Sequence, residues 1–243
     1  MSSCLDTCQD SDKSRIRWYL YINAPPGGRA RGVVHRLVCS VQSKSFTYLS
    51  ISTTVHVVVG ITGASGLRYG VRLLECLRCE RTVIMSADAA RLVVGETGLS
   101  KEDIESKATS RLDNDDMRAP LASGSAAFDA MVVVPCSMST LSKVACGIGD
   151  NLITRAASVA LKERRRLVLV PRETPLSAIH LENMWRLSSA GAVVMPACPA
   201  FYPSPESVDD MVDFVVGRVL DQLGLEHSLY RRWSGDYPTR SQV

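Results

Sequence analysis

Hydroxyl groups, glycines and one arginine follow five short apolar segments of this sequence. The polar segments span residues 60–66, 86, 135–140, 171–174 and 196–202. Backbone N–H groups of a glycine-rich turn, serine hydroxyls and a guanidinium all donate hydrogen bonds to anionic oxygens. Residue types in this pattern are therefore typical of a site for an anionic ligand that carries several heteroatoms.

The first polar segment is a glycine-rich turn, with Gly60, Gly63 and Gly66 ahead of a helical period. Free N–H groups and the positive end of a helix can bind a phosphate at such a turn. The spacing differs from the Gly-x-Gly-x-x-Gly fingerprint of dinucleotide-binding enzymes, and no acidic residue follows the second apolar segment at the ribose-binding position. A nicotinamide enzyme is therefore disfavoured. The alternative interpretation is a tight turn without a ligand, since glycine has structural reasons of its own to be there.

Three hydroxyls, those of Ser137, Ser139 and Thr140, lie between an apolar run and a helix, which again suits an anionic ligand. The alternative is that they only cap the helix. Arg172 and Glu173 directly follow a run of Leu and Val, where a buried charged pair is unfavourable unless partners or a ligand satisfy it. We therefore expect both to be functional.

Two further polar features have ordinary explanations. Lys162 begins the basic run 162–166, which is typical of a solvated helix end. His180 falls in a predicted helix, where a lone histidine is more often structural than catalytic. The sequence shows no arrangement of His, Cys and Asp that suggests a nucleophilic triad.

Hydrophobic periodicity predicts the elements that must position these residues. Apolar, mostly β-branched runs at 57–59, 82–85, 131–134, 167–170 and 192–195 predict five buried strands. Helical periods lie between them, so strands and helices alternate, which indicates a parallel sheet. Ser207, with Asp210 three residues on, predicts the start of a final helix that covers a face of the sheet. The expected fold is α/β, a three-layer Rossmann-like (flavodoxin-like) sheet with helices on both faces, which binds ligands at the carboxyl ends of its strands.

Composition disfavours several classes of function. The 28 basic and 25 acidic side chains give a formal net charge of +3, too balanced to indicate a nucleic-acid or membrane surface. No segment approaches the roughly 18–20 uninterrupted apolar residues of a membrane-spanning helix. Cys76 and Cys79 form a lone Cys-x-x-Cys pair in a predicted helix, so we expect packed, reduced thiols and no metal site.

The chain is expected to divide into three segments. Residues 1–52 show no sustained period and contain Pro-Pro-Gly-Gly at 25–28, which predicts a poorly ordered extension. Residues 53–235 should form the folded domain and 236–243 a tail. We expect a cytoplasmic protein; the alternative is an organellar location if the extension is a transit peptide, an interpretation that its acidic residues oppose.

Six motifs, in order and spacing, resemble the flavin prenyltransferase family of the UbiX type. They are Thr-Gly-Ala-Ser-Gly at 62–66, Pro-Cys-Ser at 135–137, Lys-Glu-Arg-Arg at 162–165, Pro-Arg-Glu-Thr-Pro at 171–175, His-Leu-Glu-Asn-Met at 180–184 and Pro-Ala-Phe-Tyr at 199–202. The similarity runs from about residue 55 to Trp233 and leaves the first 52 residues outside. It implies that the chain transfers a dimethylallyl group from dimethylallyl phosphate to N5 and C6 of reduced FMN. The product, prenylated FMN, would serve a UbiD-type decarboxylase.

The resemblance also implies roles for individual residues. It assigns flavin contacts to nine positions at the predicted strand ends: Gly63, Ala64, Ser65, Ser86, Ser137, Met138, Ser139, Thr140 and Arg172. It assigns prenyl phosphate contacts to Tyr202 and Arg218, with Lys162 and Glu173 close by. Ala87 stands where family members commonly carry a lysine, and the connection that leads to Ser86 is short, which weakens the assignment of Ser86.

The implied chemistry agrees with these residue types. Breaking an allylic carbon–oxygen bond develops negative charge on the phosphate, which Lys162, Arg172 and Arg218 can stabilise. Reduced flavin and Trp233 offer π faces to the electron-poor allyl fragment. Closing the new ring requires proton movement, for which Glu173, Ser65 and the released phosphate are the expected relay. The resemblance further implies a metal-independent enzyme and a large homo-oligomer, a dodecamer, with sites shared between subunits.

Two rival hypotheses remain open. An FMN-dependent cysteine decarboxylase has the same fold, but its catalytic histidine after the first helix and its Asn-containing loop are not evident here. A noncatalytic flavin carrier would need no second phosphate site, so the presence of Lys162, Glu173, Tyr202 and Arg218 disfavours it.

Overall fold

The structure, a computed structural model, describes residues 55–235 and, before them, the backbone of three short strands. These strands are β1 (Thr7–Gln9), β2 (Arg15–Trp18) and β3 (Leu37–Ser40), and they form an antiparallel sheet in that order. Residues 1–54 and 55–243 are two compact units. The prediction of a poorly ordered extension over 1–52 otherwise lies outside the described residues, as does the predicted tail at 236–243. The predicted boundary at 52/53 is two residues from this division and stays a prediction.

Residues 55–235 contain a parallel sheet with helices between its strands. The strands are β4 (His56–Ile61), β5 (Glu80–Met85), β6 (Ser110–Asp113), β7 (Ala130–Cys136), β8 (Arg166–Pro171) and β9 (Val193–Val194). The helices are α1 (Leu67–Cys76), α2 (Ala87–Thr97), α3 (Lys101–Glu105), α4 (Met138–Ala145), α5 (Leu152–Lys162), α6 (Ala178–Ser189) and α7 (Val208–Leu223). The six strands lie in the order β6-β5-β4-β7-β8-β9, with every neighbouring pair parallel.

Side chains alternate between two separate cores, one on each face of the sheet. Along β4, Val57 and Val59 point into a core shared with α1 and α7, whereas Val58 points into a core shared with α4 and α5. All three side chains are fully buried because both faces are covered, which is why the strand is an uninterrupted apolar run. The predicted three-layer α/β fold is confirmed.

The five strands that the sequence predicted are all present, and one further strand of residues 55–235 was missed. Strand β6 lies at the edge of the sheet, and its Ser-Arg-Leu-Asp sequence has a single apolar residue, Leu112, so periodicity could not reveal it. The predicted helix cap at Ser207 is confirmed as a capping box with Asp210. The pair Cys76 and Cys79 was predicted within one helix, but α1 ends at Cys76, so Cys79 lies in the turn before β5. Both thiols are free and half-buried against the core.

Helix α1 approaches the sheet closely at Gly70. A Cβ atom added at Gly70 would lie 2.6 Å from the carbonyl oxygen of Val134 on β7. Glycine therefore sets the distance between α1 and the strand on which part of the site is built. Within residues 55–235, no helix combines the length and apolar composition needed to cross a membrane.

We predict opposite effects for alanine at two helical glycines. Gly70→Ala should lower the free energy of unfolding by about 1–3 kcal/mol, because the new methyl group overlaps a backbone oxygen that cannot move away. Gly95→Ala in α2 is the matched control, since an added Cβ there meets nothing within 4 Å; it should raise stability by about 0.5–1 kcal/mol. Urea unfolding followed by circular dichroism would measure both. A Gly70→Ala protein as stable as the unaltered chain would contradict the close approach.

Candidate active site at the carboxyl edge of the sheet

Four neighbouring strands end at the same edge, and the residue after each strand is polar. Thr62 follows β4, Ser86 follows β5, Ser137 follows β7 and Arg172 follows β8. The register aligns these ends, since Ile61 pairs with Met85 and Cys136 pairs with Pro171. The parallel sheet thus gathers residues that are over a hundred positions apart in the sequence.

The Thr62 side chain joins the ends of the two central strands. Its hydroxyl donates a hydrogen bond to the carbonyl oxygen of Pro135 (2.8 Å) and accepts one from the backbone N–H of Ser137 (2.7 Å). The backbone N–H of Thr62 donates to the same carbonyl. Thr62 is 1% exposed, so these bonds satisfy polar groups that water cannot reach. The glycine-rich turn and the serine-rich segment are consequently held side by side.

A second link joins the turn to the end of β8. The Nε atom of Arg172 donates a hydrogen bond to the carbonyl oxygen of Ser65 (2.9 Å). The Glu173 carboxylate accepts one from the backbone N–H of Thr174 (3.0 Å). Both charged side chains are exposed in the single chain. The expectation of costly buried charges at Arg172 and Glu173 is therefore wrong for the single chain, because buried strand β8 ends at Pro171.

Glu96 is a site residue that the sequence analysis missed. Its carboxylate accepts hydrogen bonds from the backbone N–H groups of Gly66 (2.8 Å) and Leu67 (2.9 Å) at the start of α1. Partial burial alone raises the pKa of Glu96, but hydrogen bonds from the Ser65 hydroxyl and these two amides, with Arg172 nearby, hold it below its ordinary value. Glu96 thus occupies the helix end at which we had expected an external anion. No local signal marks it, since its role arises only where α2 packs beside α1.

These elements enclose an open cavity of about 460 Å³. Eight of the predicted site residues line it: Gly63, Ala64, Ser65, Ser137, Met138, Ser139, Arg172 and Glu173. Leu92 and Glu96 of α2 complete the lining. Gly63 cannot carry a side chain, because an added Cβ would overlap the Cβ of Asp88 in the first turn of α2.

Two predicted flavin contacts, Ser86 and Thr140, are not part of the cavity lining and have structural roles of their own. Ser86 caps α2 by accepting a hydrogen bond from the N–H of Ala89 (3.2 Å). Thr140 lies in the first turn of α4, where its N–H donates to the Ser137 hydroxyl (3.3 Å). Ser86 and Ser137 are therefore helix caps, which was the alternative interpretation for such residues. Whether each also contacts a ligand stays a prediction.

Lys162 lies at the other edge of the sheet. It is the last residue of α5 and precedes β8, whereas Arg172 follows β8. Strand β8 has six residues, so the edge near Lys162 and the edge near Arg172 are about 17 Å apart. The Lys162 ammonium group forms an ion pair with Glu163. A single chain therefore does not bring Lys162 to the cavity.

Tyr202, Arg218 and Trp233 belong to a second group around α7. The ring of Tyr202 makes edge contacts with Trp233 (5.4 Å between centroids) and with Phe214 (5.9 Å). Arg218, one turn after Phe214 on α7, donates a hydrogen bond to Asp221 (2.9 Å). The structure thus brings together three predicted residues from separate parts of the sequence. The segment that leads to Tyr202 passes the edge of the sheet that carries the cavity, since the N–H of Ala197 donates to the carbonyl oxygen of Pro171 (3.0 Å).

Comparisons with known proteins show the family to which the chain belongs. The model of the family described as Flavoprotein matches residues 46–220. A flavin prenyltransferase UbiX of Methanocaldococcus jannaschii is 53% identical over 181 residues, which cover 74% of this chain and 98% of that relative. A protein of the same name from Thermoplasma acidophilum is 54% identical, with 74% and 100% covered. The chain belongs to the UbiX-type flavin prenyltransferase family.

Solved structures of UbiX-type proteins have the same fold. A crystal structure of AnUbiX in complex with FMN and dimethylallyl pyrophosphate has a TM-score of 0.73 and 45% identity, and the match covers 74% of this chain and 98% of that one. A dodecameric, FMN-dependent UbiX-like decarboxylase from Escherichia coli O157:H7 has a TM-score of 0.73 and 48% identity, with 74% and 100% covered. The motif-based assignment to the UbiX type is confirmed. In the part of this UbiX-type chain that the structure describes, no cluster of His, Cys, Asp and Glu could hold a metal ion.

We predict that the contribution of Glu96 to stability depends on pH. Its pKa is lower in the folded chain than the value of about 4.3 in an unfolded one, so the ionised carboxylate stabilises the fold above that pH and loses this effect as the pH falls. Glu96→Gln should lower the free energy of unfolding by about 1–2 kcal/mol at pH 7. The difference between the two proteins should shrink towards pH 4. Denaturant unfolding at both pH values measures it, and a difference that is independent of pH would contradict the assignment.

Proposed function

We propose that this chain is a flavin prenyltransferase that transfers a dimethylallyl group from dimethylallyl phosphate to reduced FMN. One observation carries the proposal: the fold gathers eight of the residues that the family resemblance assigns to the site into one cavity. Relatives more than 50% identical over nearly their whole length are named flavin prenyltransferases. A structure 45% identical to this chain holds FMN together with dimethylallyl pyrophosphate, which supports a paired site for a flavin and a prenyl phosphate ester.

The residues around the cavity suit FMN. The cavity volume of about 460 Å³ lies in the range of small-molecule sites. The first-turn amides of α4 at Met138 and Ser139 have no partner within their own helix, and Ser65, Ser139 and Arg172 add hydroxyl and guanidinium donors. Such donors match a phosphate and the heteroatoms of a flavin ring. Met138 and Leu92 supply apolar contact for the ring.

Reduced FMN supplies the nucleophilic positions N5 and C6. The chain's own contribution is to place the prenyl phosphate and to receive the charge that develops on its oxygens. Arg172 and Arg218 are pre-positioned cations for that purpose, each held by a hydrogen bond to the protein. Tyr202 can donate a further hydrogen bond to the phosphate, and the Trp233 ring that packs against it offers a π face to the cationic allyl fragment.

Proton movement is assigned to Glu173 and Ser65. Both line the cavity, and Arg172, which precedes Glu173, donates a hydrogen bond to the carbonyl oxygen of Ser65. The exposed Glu173 carboxylate can accept a proton, and the Ser65 hydroxyl is joined to Glu96, so that a proton can be held or passed on at this point. The released phosphate is the remaining acceptor.

Lys162 would then be supplied by a neighbouring copy of the chain. It lies at the far edge of its own sheet, so it can reach a cavity only across a subunit interface. The dodecameric UbiX-like decarboxylase of Escherichia coli O157:H7 supports an assembly of this size. We propose the same assembly here, with prenylated FMN passed to a UbiD-type decarboxylase. The free thiols at Cys146 and Cys198 are exposed, which supports a reducing compartment such as the cytoplasm.

The decisive test is an anaerobic incubation of the protein with reduced FMN and dimethylallyl phosphate. The flavin recovered should gain the mass of one isoprene unit, with one phosphate released per flavin. Dimethylallyl pyrophosphate in a parallel reaction would show which ester is used. Unchanged flavin with both donors would refute the proposed activity.

Glu173→Ala should show whether the protein acts as an enzyme or only as a flavin carrier. We expect the rate of prenylation to fall by about a hundredfold or more, in the range of lost acid–base catalysis, while the affinity for FMN changes less than threefold. Glu102→Ala, an exposed glutamate on α3, is the control and should change neither. Single-turnover kinetics and flavin fluorescence titration give the two quantities. Equal loss of flavin binding and prenylation would show that Glu173 acts in binding instead.

A further inference from the structure

The carboxylate of Asp221, near the end of α7, accepts hydrogen bonds from four side chains. Its Oδ2 atom accepts from Arg218 Nη1 (2.9 Å) and from the Tyr230 hydroxyl (2.6 Å). Its Oδ1 atom accepts from Arg232 Nη2 (2.6 Å) and lies 3.1 Å from His227 Nε2. The Asp221 side chain is 13% exposed. An aspartate placed among so many donors is unusual for the end of a surface helix.

Three of these donors come from the segment after α7, which is pressed against the helix. An added Cβ at Gly217 would lie 2.6 Å from the Tyr230 ring and 2.7 Å from the His227 ring. Only glycine permits this approach, so the segment has one defined position on the helix. The Asp221 carboxylate lies at the centre of that contact. We call Asp221 with His227, Tyr230 and Arg232 the C-terminal clasp.

The C-terminal clasp is connected by hydrogen bonds and ring contacts to Arg218, Tyr202 and Trp233, the three residues around α7 that are predicted to contact the prenyl phosphate or the allyl fragment. Arg218 is bound to Asp221 directly. The Tyr230 ring packs on Phe214 (4.8 Å between centroids), which packs on Tyr202. Trp233, one residue after Arg232, also packs against Tyr202. One carboxylate therefore connects a guanidinium, a phenol and an indole that the sequence places up to 31 positions apart.

The geometry at Arg218 leaves donors available for a ligand. Among the described residues, its hydrogen bonds to Asp221 and Tyr230 use Nη1 alone. Nε and Nη2 can therefore still donate to a phosphate. A long arginine side chain loses about 2 kcal/mol of rotamer entropy when it is fixed, and a bond to Asp221 incurs that loss before the substrate arrives.

We propose that Asp221 is a positioning residue for the prenyl phosphate: it fixes the Arg218 guanidinium and, through the clasp, the segment that carries Trp233. The inference rests on the proposed function for the identity of the substrate. It adds Asp221, His227, Tyr230 and Arg232 to the residues on which that site depends. None of the four touches the reacting atoms in this account.

The test compares two asparagine variants on the same helix. Asp221→Asn keeps the shape of the side chain but removes an acceptor and the charge, so the KM for dimethylallyl phosphate should rise about tenfold, with the Kd for FMN changed less than twofold. Asp213→Asn likewise removes one acceptor and the charge from a carboxylate that binds Arg72 elsewhere on α7, and it is the matched control. It should lower the melting temperature without changing that KM. The same KM for both variants would reduce Asp221 to a structural role and overturn the proposal.

If Asp221→Asn does not fold, the milder variant Tyr230→Phe tests the same proposal. Tyr230→Phe removes a single bond to Asp221 while it keeps the ring on Phe214. It should raise the KM two- to threefold, and an unchanged KM with a folded protein would count against the clasp. Tyr230→Phe thus keeps the proposal open to refutation.

A readout without catalysis separates this proposal from the proposed function. With Trp18 and Trp185 replaced by Phe, Trp233 is the remaining tryptophan. Asp221→Asn or Tyr230→Phe should increase the acrylamide quenching of its fluorescence at least twofold, whereas Asp213→Asn should not. If the unaltered protein prenylates no flavin, the proposed function fails, and the quenching result still decides whether the clasp positions Trp233. Quenching unaffected by either clasp variant would refute that role.

Discussion

The cavity depends on the two hydrogen bonds of the buried Thr62 hydroxyl. Two loops that leave the central strands of a parallel sheet would diverge if nothing joined them, and each carries backbone polar groups that burial leaves without water. Thr62 satisfies a carbonyl and an amide of the neighbouring loop with one side chain. The glycine-rich turn and the serine-rich segment can then face the same cavity at a fixed spacing, because leaving the Ser137 N–H unpaired would cost about 1–3 kcal/mol.

The packing of α2 beside α1 determines where negative charge lies at this edge of the sheet. The N-terminus of α1 is the place where a glycine-rich turn would ordinarily hold a phosphate, yet the Glu96 carboxylate already lies there. An incoming anion is therefore left with the first turn of α4, the hydroxyls around it and Arg172. Glu96 also contacts the Ser65 hydroxyl, so the same carboxylate that completes α1 connects to the residue proposed for proton transfer.

The residues that we propose for prenyl transfer lie in three places in the single chain. The cavity lies at the ends of β4, β7 and β8, the aromatic group with Arg218 lies around α7, and Lys162 lies beyond the opposite end of β8. Strand length makes the last separation unavoidable, since a strand of six residues cannot bring its two ends together. In the proposed assembly, subunit contacts would bring the third part to the first. The C-terminal clasp shows that within one chain the second part is already fixed by Asp221 and the contact at Gly217.

The sequence by itself determined the layers, because a strand buried on both faces must be an uninterrupted apolar run, and such runs are visible without a structure. It also determined the strand-end residues as candidates, since the carboxyl edge of a parallel sheet is where its loops converge. It could not reveal β6, an edge strand with one apolar residue, or Glu96 and Asp221, whose neighbours lie on other elements. The exposure of Arg172 and Glu173 and the distance of Lys162 from them were likewise decided by the tertiary structure. Apolar patterns record which face of an element is buried, whereas the partner of a charged group depends on how separate elements pack together.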